Sequence, residues 1–121
     1  LRYMAPEMKA KHGLKPYNNS VDVFSFAVLF WEIITGRIPF EKEMPPVFGT
    51  PKDIPDHVRP SLKHVESQKL AALLEACWHI NPGERWKFNK IIEEMLSVCS
   101  ELDTNKAVEK ECSKENFIYT C

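Results

Sequence analysis

Glycine is scarce in this 121-residue chain, and its four glycines lie far apart, at positions 13, 36, 49 and 83. A loop that holds phosphate groups through backbone amides needs several glycines within a few residues, so no such loop is predicted. The four cysteines form neither a Cys-x-x-Cys pair nor a Cys/His spacing typical of zinc sites. They are therefore predicted to be reduced thiols of a cytoplasmic protein, with Cys77 packed as a small apolar side chain.

The chain also lacks an excess of charge of either sign and a long apolar run. Its 16 Lys and Arg residues and 17 Asp and Glu residues give a net charge of −1, so nothing favours nucleic acid as a partner. The longest apolar run, Val23 to Ile34, contains Ser25 and Glu32 and is too short to span a bilayer, so no membrane insertion is expected. Because the first residue is Leu1 and no signal peptide follows, the chain is expected to begin inside a domain.

Three segments have helical patterns. Residues 21–35 follow Ser20, a good N-cap residue, and precede Gly36, a frequent helix terminator. This helix is apolar on every side and must therefore be buried as a central helix. Apolar residues at helical spacing predict two further helices over 66–79 and 88–99. The pattern predicts a mainly α fold, in which two helices leave part of the central one exposed.

The remaining segments are irregular or charged. A short helical turn is predicted after Pro6. Residues 39–60 contain six of the nine prolines, which predicts an extended surface segment with at most one helical turn. Residues 103–121 form a charged tail with two alternatives, a frayed helix or a disordered and solvated segment, and the second is favoured.

Four short motifs occur in a fixed order along the chain. They are Tyr3-Met4-Ala5-Pro6-Glu7, then Val21–Phe26 with Leu29–Glu32, then Thr35–Phe40, and finally Cys77-Trp78 followed by Asn81-Pro82 and Arg85. This succession resembles the C-terminal lobe of protein kinases over residues 1–99. The resemblance implies an incomplete C-terminal helical lobe of the protein-kinase-like fold. It also implies two parts, a partial kinase domain over 1–102 and the charged tail over 103–121.

The resemblance extends to a subgroup. The run from Arg2 to Glu7 and the Phe-Ser-Phe-Ala run that ends at Ala27 are similar to the tyrosine-kinase-like group of serine/threonine kinases. Within that group, the segment Arg59-Pro60-Ser61-Leu62 is similar to the receptor-interacting kinases. Serine or threonine, rather than tyrosine, is the phosphate acceptor that this similarity implies.

The same resemblance assigns structural positions to Pro6, Glu7, Asp22, Trp78 and Arg85. In the family, the Glu of the Ala-Pro-Glu motif pairs with an Arg before the last helix, which implies a bidentate pair of Glu7 with Arg85. Asp22 corresponds to an acid that hydrogen-bonds the backbone of the catalytic loop. From the residues alone, Asp22 is an acid in the first turn of a helix, where the helix dipole favours a negative charge. Asp22 can have both roles at once. Trp78 is expected to pack on the central helix.

Three positions depart from the family pattern. The family commonly has Trp where Phe24 stands and Gly where Ala27 stands. It commonly has Pro directly after the paired Arg, where this chain has Trp86. The entry into the last helix is therefore expected to differ from the family pattern. The proline-rich residues 41–60 also replace a segment that is usually helical, so docking properties do not carry over.

The residues that carry kinase chemistry are missing from the sequence. It has no His-Arg-Asp and no Asp-Phe-Gly motif, so no catalytic, cofactor-binding or metal-binding residue is assigned, and ATP and magnesium are implied only for a full-length parent. His57 lies near Asp53 and Asp56, but such a polar cluster is typical of a solvated loop and does not form a hydrolytic triad.

Two hypotheses follow from these observations. In the first, the chain is part of a cytoplasmic serine/threonine kinase of a signalling pathway, and is inactive alone. Its partners are then the missing N-terminal part of the kinase domain and protein substrates or signalling proteins. In the alternative, it is a non-catalytic interaction module, either pseudokinase-like or a truncated isoform.

Overall fold

The computed structural model describes residues 2–9, 17–44 and 54–119, with side chains as far as position 106. These residues form three α-helices and three short 3₁₀ turns. The helices are α1 (Ser20–Thr35), α2 (Gln68–Cys77) and α3 (Phe88–Tyr119), and the turns are Pro6–Met8, Leu62–His64 and Pro82–Glu84. No strand occurs in the described ranges, which confirms the prediction of a mainly α fold.

The start of α1 differs from the prediction in one detail. Ser20 is the first helical residue and not the N-cap, which is Asn19. The side-chain oxygen of Asn18 accepts a hydrogen bond from the backbone N–H of Ser20 at 2.9 Å and also accepts one from the Ser20 hydroxyl. Because this hydroxyl acts as a donor, it does not cap the helix. At the other end, Gly36 terminates α1 as predicted, with a left-handed φ of 64° that glycine adopts without strain.

One side of α1 forms the centre of the core, and α2 packs against it. The buried residues of α1 are Val23, Phe24, Ala27, Val28 and Trp31. From α2 and its C-cap, the core receives Leu73, Leu74, Cys77 and Trp78. The opposite side of α1 is not covered: Leu29 is 48% exposed and Ile33 is 68% exposed. Part of the apolar central helix is therefore open to solvent, as predicted from the presence of only two other helices to cover it.

The third helix is much longer than predicted. It begins at Phe88, but it continues past Cys99 to Tyr119. The disordered alternative for the tail is therefore wrong for the backbone as far as Tyr119. The physical reason is that no Gly or Pro follows Phe88, so nothing in the sequence stops the helix. The boundary after residue 102 stays a prediction, since the helix runs through it without a break.

The proline-rich segment is less exposed than predicted. Within 39–60, Phe40, Ile54 and Pro60 are buried, and Phe40 and Ile54 belong to the same core as α1. The prediction of a surface segment is therefore wrong at these positions. Proline prevents a long helix but does not prevent apolar side chains between the prolines from packing on the core. Residues 45–53 lie outside the described residues.

Candidate functional site

The two residues that the sequence motifs pair, Glu7 and Arg85, are in direct contact. Pro6 is buried and starts the first 3₁₀ turn, which presents Glu7 to the region that follows α2. Arg85 Nη1 donates to Glu7 Oε1 at 2.6 Å, and Nη2 donates to Oε2 at 2.9 Å. This is the bidentate geometry in which a guanidinium binds a carboxylate most strongly. We call this pair the clasp.

The clasp also connects the ends of two helices. Arg85 Nη1 donates to the carbonyl oxygen of Ser20 at 2.9 Å, and Nε donates to that of His79 at 2.8 Å. The Arg85 side chain is 0% exposed, whereas that of Glu7 is 27% exposed. Burial would by itself raise the pKa of Glu7, but the hydrogen bonds and charge of Arg85 outweigh it, so the pKa lies below its usual range. Glu7 is therefore ionised at neutral pH.

A second arginine lies beside the clasp. The Arg59 guanidinium lies 4.9 Å from the centroid of the Phe24 ring, and the Arg85 guanidinium lies 5.0 Å from the same centroid. Arg59 Nε also donates to the carbonyl oxygen of Trp78 at 2.7 Å. Sequence reasoning missed this role of Arg59. The only signal was the Arg59-Pro60 dipeptide itself, since neither periodicity nor spacing relates a loop residue to the ring of Phe24.

The C-terminal end of α2 is the point where these contacts meet. Trp78 is the C-cap of this helix and is buried in the same core as α1, as expected from the sequence. The backbone N–H of Trp86 donates to the carbonyl oxygen of Ala76 at 3.2 Å. A proline at position 86 would have no N–H to donate, so the departure from the family pattern adds a hydrogen bond here. The entry into α3 is thereby attached to the end of α2.

The residues that precede the clasp are attached to α1 and to the turn after it. Ser25 Oγ donates to the carbonyl oxygen of Tyr3 at 2.7 Å, and the Tyr3 hydroxyl donates to Glu32 Oε2. This hydrogen bond to Glu32 is the main reason why the pKa of Tyr3 is raised. Arg2 Nη1 donates to the carbonyl oxygen of Pro39 at 2.7 Å. Contacts of Arg2 and Tyr3 therefore hold the N-terminal segment on α1 and on the turn after it.

Asp22 does not join the clasp. It lies in the first turn of α1, where a negative charge interacts favourably with the helix dipole, and its side chain is exposed. Helical spacing puts it on the same stripe as Phe26, Leu29 and Ile33. Asp22 thus stands at the N-terminal end of the uncovered apolar side of α1.

Metal-ligating side chains and thiols are the candidate centres for chemistry among the described residues. Within ranges 2–9, 17–44 and 54–106, no group of three His, Cys, Asp or Glu side chains could hold a metal ion. Burial raises the pKa of the Cys77 thiol to about 12, so this thiol is not a nucleophile at neutral pH. His57 and Asp56 are exposed on a turn, while Asp53 lies outside the described residues. What the arrangement provides is a fixed clasp between the N-terminal segment and the residues that follow α2.

Comparison with known families defines the class of protein. The family model described as "Protein tyrosine and serine/threonine kinase" matches residues 1–95. The chain belongs to this family, and α1, α2, the clasp and the first two turns of α3 lie within the matched residues.

Individual kinases show the same similarity. Serine/threonine-protein kinase STY46 of Arabidopsis thaliana is 34% identical over 112 residues, which are 93% of this chain and 19% of that protein. Serine/threonine/tyrosine-protein kinase HT1 of the same plant is 38% identical over 91 residues, 75% of this chain and 22% of that protein. Dual specificity protein kinase shkD of Dictyostelium discoideum is 33% identical over 116 residues, 81% of this chain and 13% of that protein.

The chain thus spans about a fifth or less of the length of these relatives. None of these three is named a receptor-interacting kinase, so that branch stays a prediction. In the part of the chain that the structure describes, no helix has the length and apolar character that a membrane crossing requires.

Proposed function

We propose that this chain is the C-terminal helical part of the catalytic domain of a cytoplasmic protein kinase, and that it is inactive alone. The complete protein would transfer the terminal phosphoryl group of ATP, with magnesium, to serine or threonine hydroxyls of signalling proteins. Membership of the kinase family supports the reaction class. The missing His-Arg-Asp and Asp-Phe-Gly motifs support the absence of activity in this part.

The observation that carries the proposal is an uncovered apolar face on α1 and α3. On α3, Phe88, Ile92 and Leu96 recur every four residues and are 39%, 57% and 65% exposed. On α1, a second apolar stripe contains Leu29 and Ile33, whose side chains are about half exposed or more. The two stripes meet where the ring of Phe26 contacts that of Phe88, with centroids 6.1 Å apart in an edge-to-face arrangement. We call these residues the α1–α3 face.

Exposed apolar stripes on two helices that meet in this way mark a surface that another segment covers. In our proposal the preceding part of the kinase domain covers it. Asp22 borders the face at the N-terminal end of α1, where it would accept hydrogen bonds from the backbone of the catalytic loop, as the family resemblance implies. The clasp would fix the end of the activation segment against this assembly.

The residues described here do not fit ATP or magnesium. The closely spaced glycines of a phosphate-binding loop are missing from the sequence, and the residues that the structure describes contain no cluster of metal-ligating side chains. The nucleotide and its metal would therefore be held by the part of the domain that precedes this chain, and no step of phosphoryl transfer is assigned to residues of this chain.

The proposal is tested on a longer protein that includes this chain, with Ile33→Asp as the variant and Ile80→Asp as the matched control. Both isoleucines are more than half exposed here, at 68% and 52%, but only Ile33 lies on the α1–α3 face. We expect Ile33→Asp to reduce transfer of labelled phosphate from ATP to a protein substrate by tenfold or more, and Ile80→Asp to leave it unchanged. The 121-residue chain should transfer none. Activity of that chain alone, or equal effects of the two variants, would contradict the proposal.

A second candidate is a non-catalytic interaction module, pseudokinase-like or a truncated isoform, and the missing chemistry favours it. The transcript upstream of Leu1 separates the two. Intact His-Arg-Asp and Asp-Phe-Gly motifs there support the kinase, whereas an initiator Met within a few codons supports the module.

A further inference from the structure

Two arginines from different parts of the chain share one aromatic ring. Arg85 comes after α2 and Arg59 comes from the loop before it, and both guanidinium groups lie about 5 Å from the centroid of Phe24. A cation at this distance is attracted by the electron-rich face of the ring. The ring therefore brings two positive charges into the same part of the interior.

The same two side chains bind neighbouring carbonyl groups at the end of α2. Arg59 Nε donates a hydrogen bond to the carbonyl oxygen of Trp78 at 2.7 Å, and Arg85 Nε donates one to that of His79 at 2.8 Å. The last carbonyls of a helix have no partner within the helix and carry the negative end of its dipole, so cations are favourable here. Arg59 Nη1 also donates to the carbonyl oxygen of Asp56 at 2.6 Å, which fixes it to its own loop.

This arrangement requires a negative charge, because two guanidinium groups repel each other in a partly buried site. Burial is the first reason why the pKa of Arg59 is lowered, and the charge of Arg85 is the second. Asp56 and Glu7 are the acids that act in the opposite direction on Arg59. Among the described residues, Arg59 forms no direct ion pair, but it lines one small cavity together with Phe24 and with Pro6, the neighbour of Glu7.

We propose that Glu7 is the shared counter-ion of both arginines, bound directly by Arg85 and at longer range by Arg59 beside the ring of Phe24. Arg59 is then a positioning residue, which couples the loop 54–60 to the clasp. Its charge, and not only its packing, helps to keep the Glu7 carboxylate ionised. This inference concerns the folded chain itself and does not depend on whether the longer protein transfers phosphate.

The first test is an NMR titration of the Glu7 carboxyl carbon in the full chain. Arg59→Met removes the charge and keeps much of the apolar length, so the pKa of Glu7 should rise although Arg85 is intact. Arg59→Lys keeps the charge and should restore a value close to that of the unsubstituted chain. Lys9→Met is the matched control, because Lys9 also donates to this loop, at the carbonyl oxygen of Ile54 at 3.0 Å. It should leave the pKa of Glu7 unchanged.

The second test is a double-mutant cycle of Arg59→Met with Glu7→Gln in urea denaturation. Arg59→Met should lower the ratio of folded to unfolded protein. If Glu7 balances both arginines, this effect should be about threefold or more smaller in the Glu7→Gln background than in the unsubstituted chain. Arg59→Gln, which retains a donor for Trp78, replaces the Met variant if that variant does not fold.

Either of two results would overturn the proposal. One is a pKa of Glu7 that is the same in Arg59→Met as in the unsubstituted chain, or that shifts as much in Lys9→Met. The other is a cycle in which the two substitutions act independently, which would mean that Arg59 supports the loop by packing and hydrogen bonding alone.

Discussion

Loss of the Glu7 carboxylate should destabilise this fold more than the loss of any exposed charge. In Glu7→Ala, the Arg85 guanidinium stays in the interior with no counter-ion in contact, because its side chain is 0% exposed. Removing one partner of a fully buried pair costs ~3–5 kcal/mol. Glu7 is 27% exposed, and Arg85 keeps its bonds to the carbonyl oxygens of Ser20 and His79, so the lower end of this range applies. We expect a loss of about 3 kcal/mol in the free energy of unfolding.

The opposite substitution should cost more. Arg85→Ala leaves a carboxylate that water can partly reach, but it also removes the two bonds to backbone carbonyls and the contact with the ring of Phe24. Each of these hydrogen bonds contributes about 1 kcal/mol, so the total loss should be about 4–5 kcal/mol. Glu7→Gln keeps one acceptor oxygen and loses the charge, and it should cost about 2 kcal/mol, less than Glu7→Ala.

Urea denaturation followed by tryptophan fluorescence measures these differences, since Trp31 and Trp78 lie in the core. The control is Lys90→Ala, which breaks an exposed ion pair with Glu94 within α3 and should produce no measurable change. A Glu7→Ala protein as stable as Lys90→Ala would refute the view that the clasp is a buried and energetically important pair. A larger cost for Glu7→Ala than for Arg85→Ala would refute the order derived from the backbone hydrogen bonds and the ring contact that Arg85 makes.

Two further predictions follow from the titrating groups. The pKa of Glu7 is lower in the folded chain than its ordinary value of 4.5, so its contribution to stability is complete above that value and is lost as the pH falls through the folded pKa. Urea midpoints should therefore decline below about pH 4.5, less steeply in Glu7→Gln, and an equal slope in both proteins would contradict this. Burial raises the pKa of Cys77 to about 12, while Cys99 is exposed, so iodoacetamide at pH 8 should label Cys99 in the native chain and Cys77 only after unfolding. Peptide mass spectrometry measures both, and equally rapid labelling of Cys77 would mean that the core around it is open.

Local signals in the sequence predict the parts of this fold that depend on local chemistry. Gly36 ends α1 because only a residue that tolerates positive φ continues the chain there, and the apolar spacing of α2 reflects burial on one side. The pair of Glu7 with Arg85 could be predicted only from the order of motifs, because the two residues lie 78 positions apart and no local pattern connects them.

The features that were missed depend on neighbours that a single sequence does not reveal. Ser20 looks like an N-cap, but a competing acceptor two residues earlier takes its hydroxyl proton. The length of α3 was missed because no Gly or Pro follows Phe88, and the lack of a stop signal predicts where a helix ends less well than the presence of one. Arg59 acquires its role only when folding brings the ring of Phe24 beside the end of α2.

The separation of the two clasp residues has a consequence for the order of events during synthesis. Glu7 emerges first, and its partner follows 78 residues later. At ordinary rates of translation this interval is about 4–16 s, during which the N-terminal segment has no arginine at position 85 to bind. The segment around Glu7 therefore forms its ion pair only after Arg85 has been synthesised. A chain that terminates before position 85 would leave Glu7 permanently without this partner.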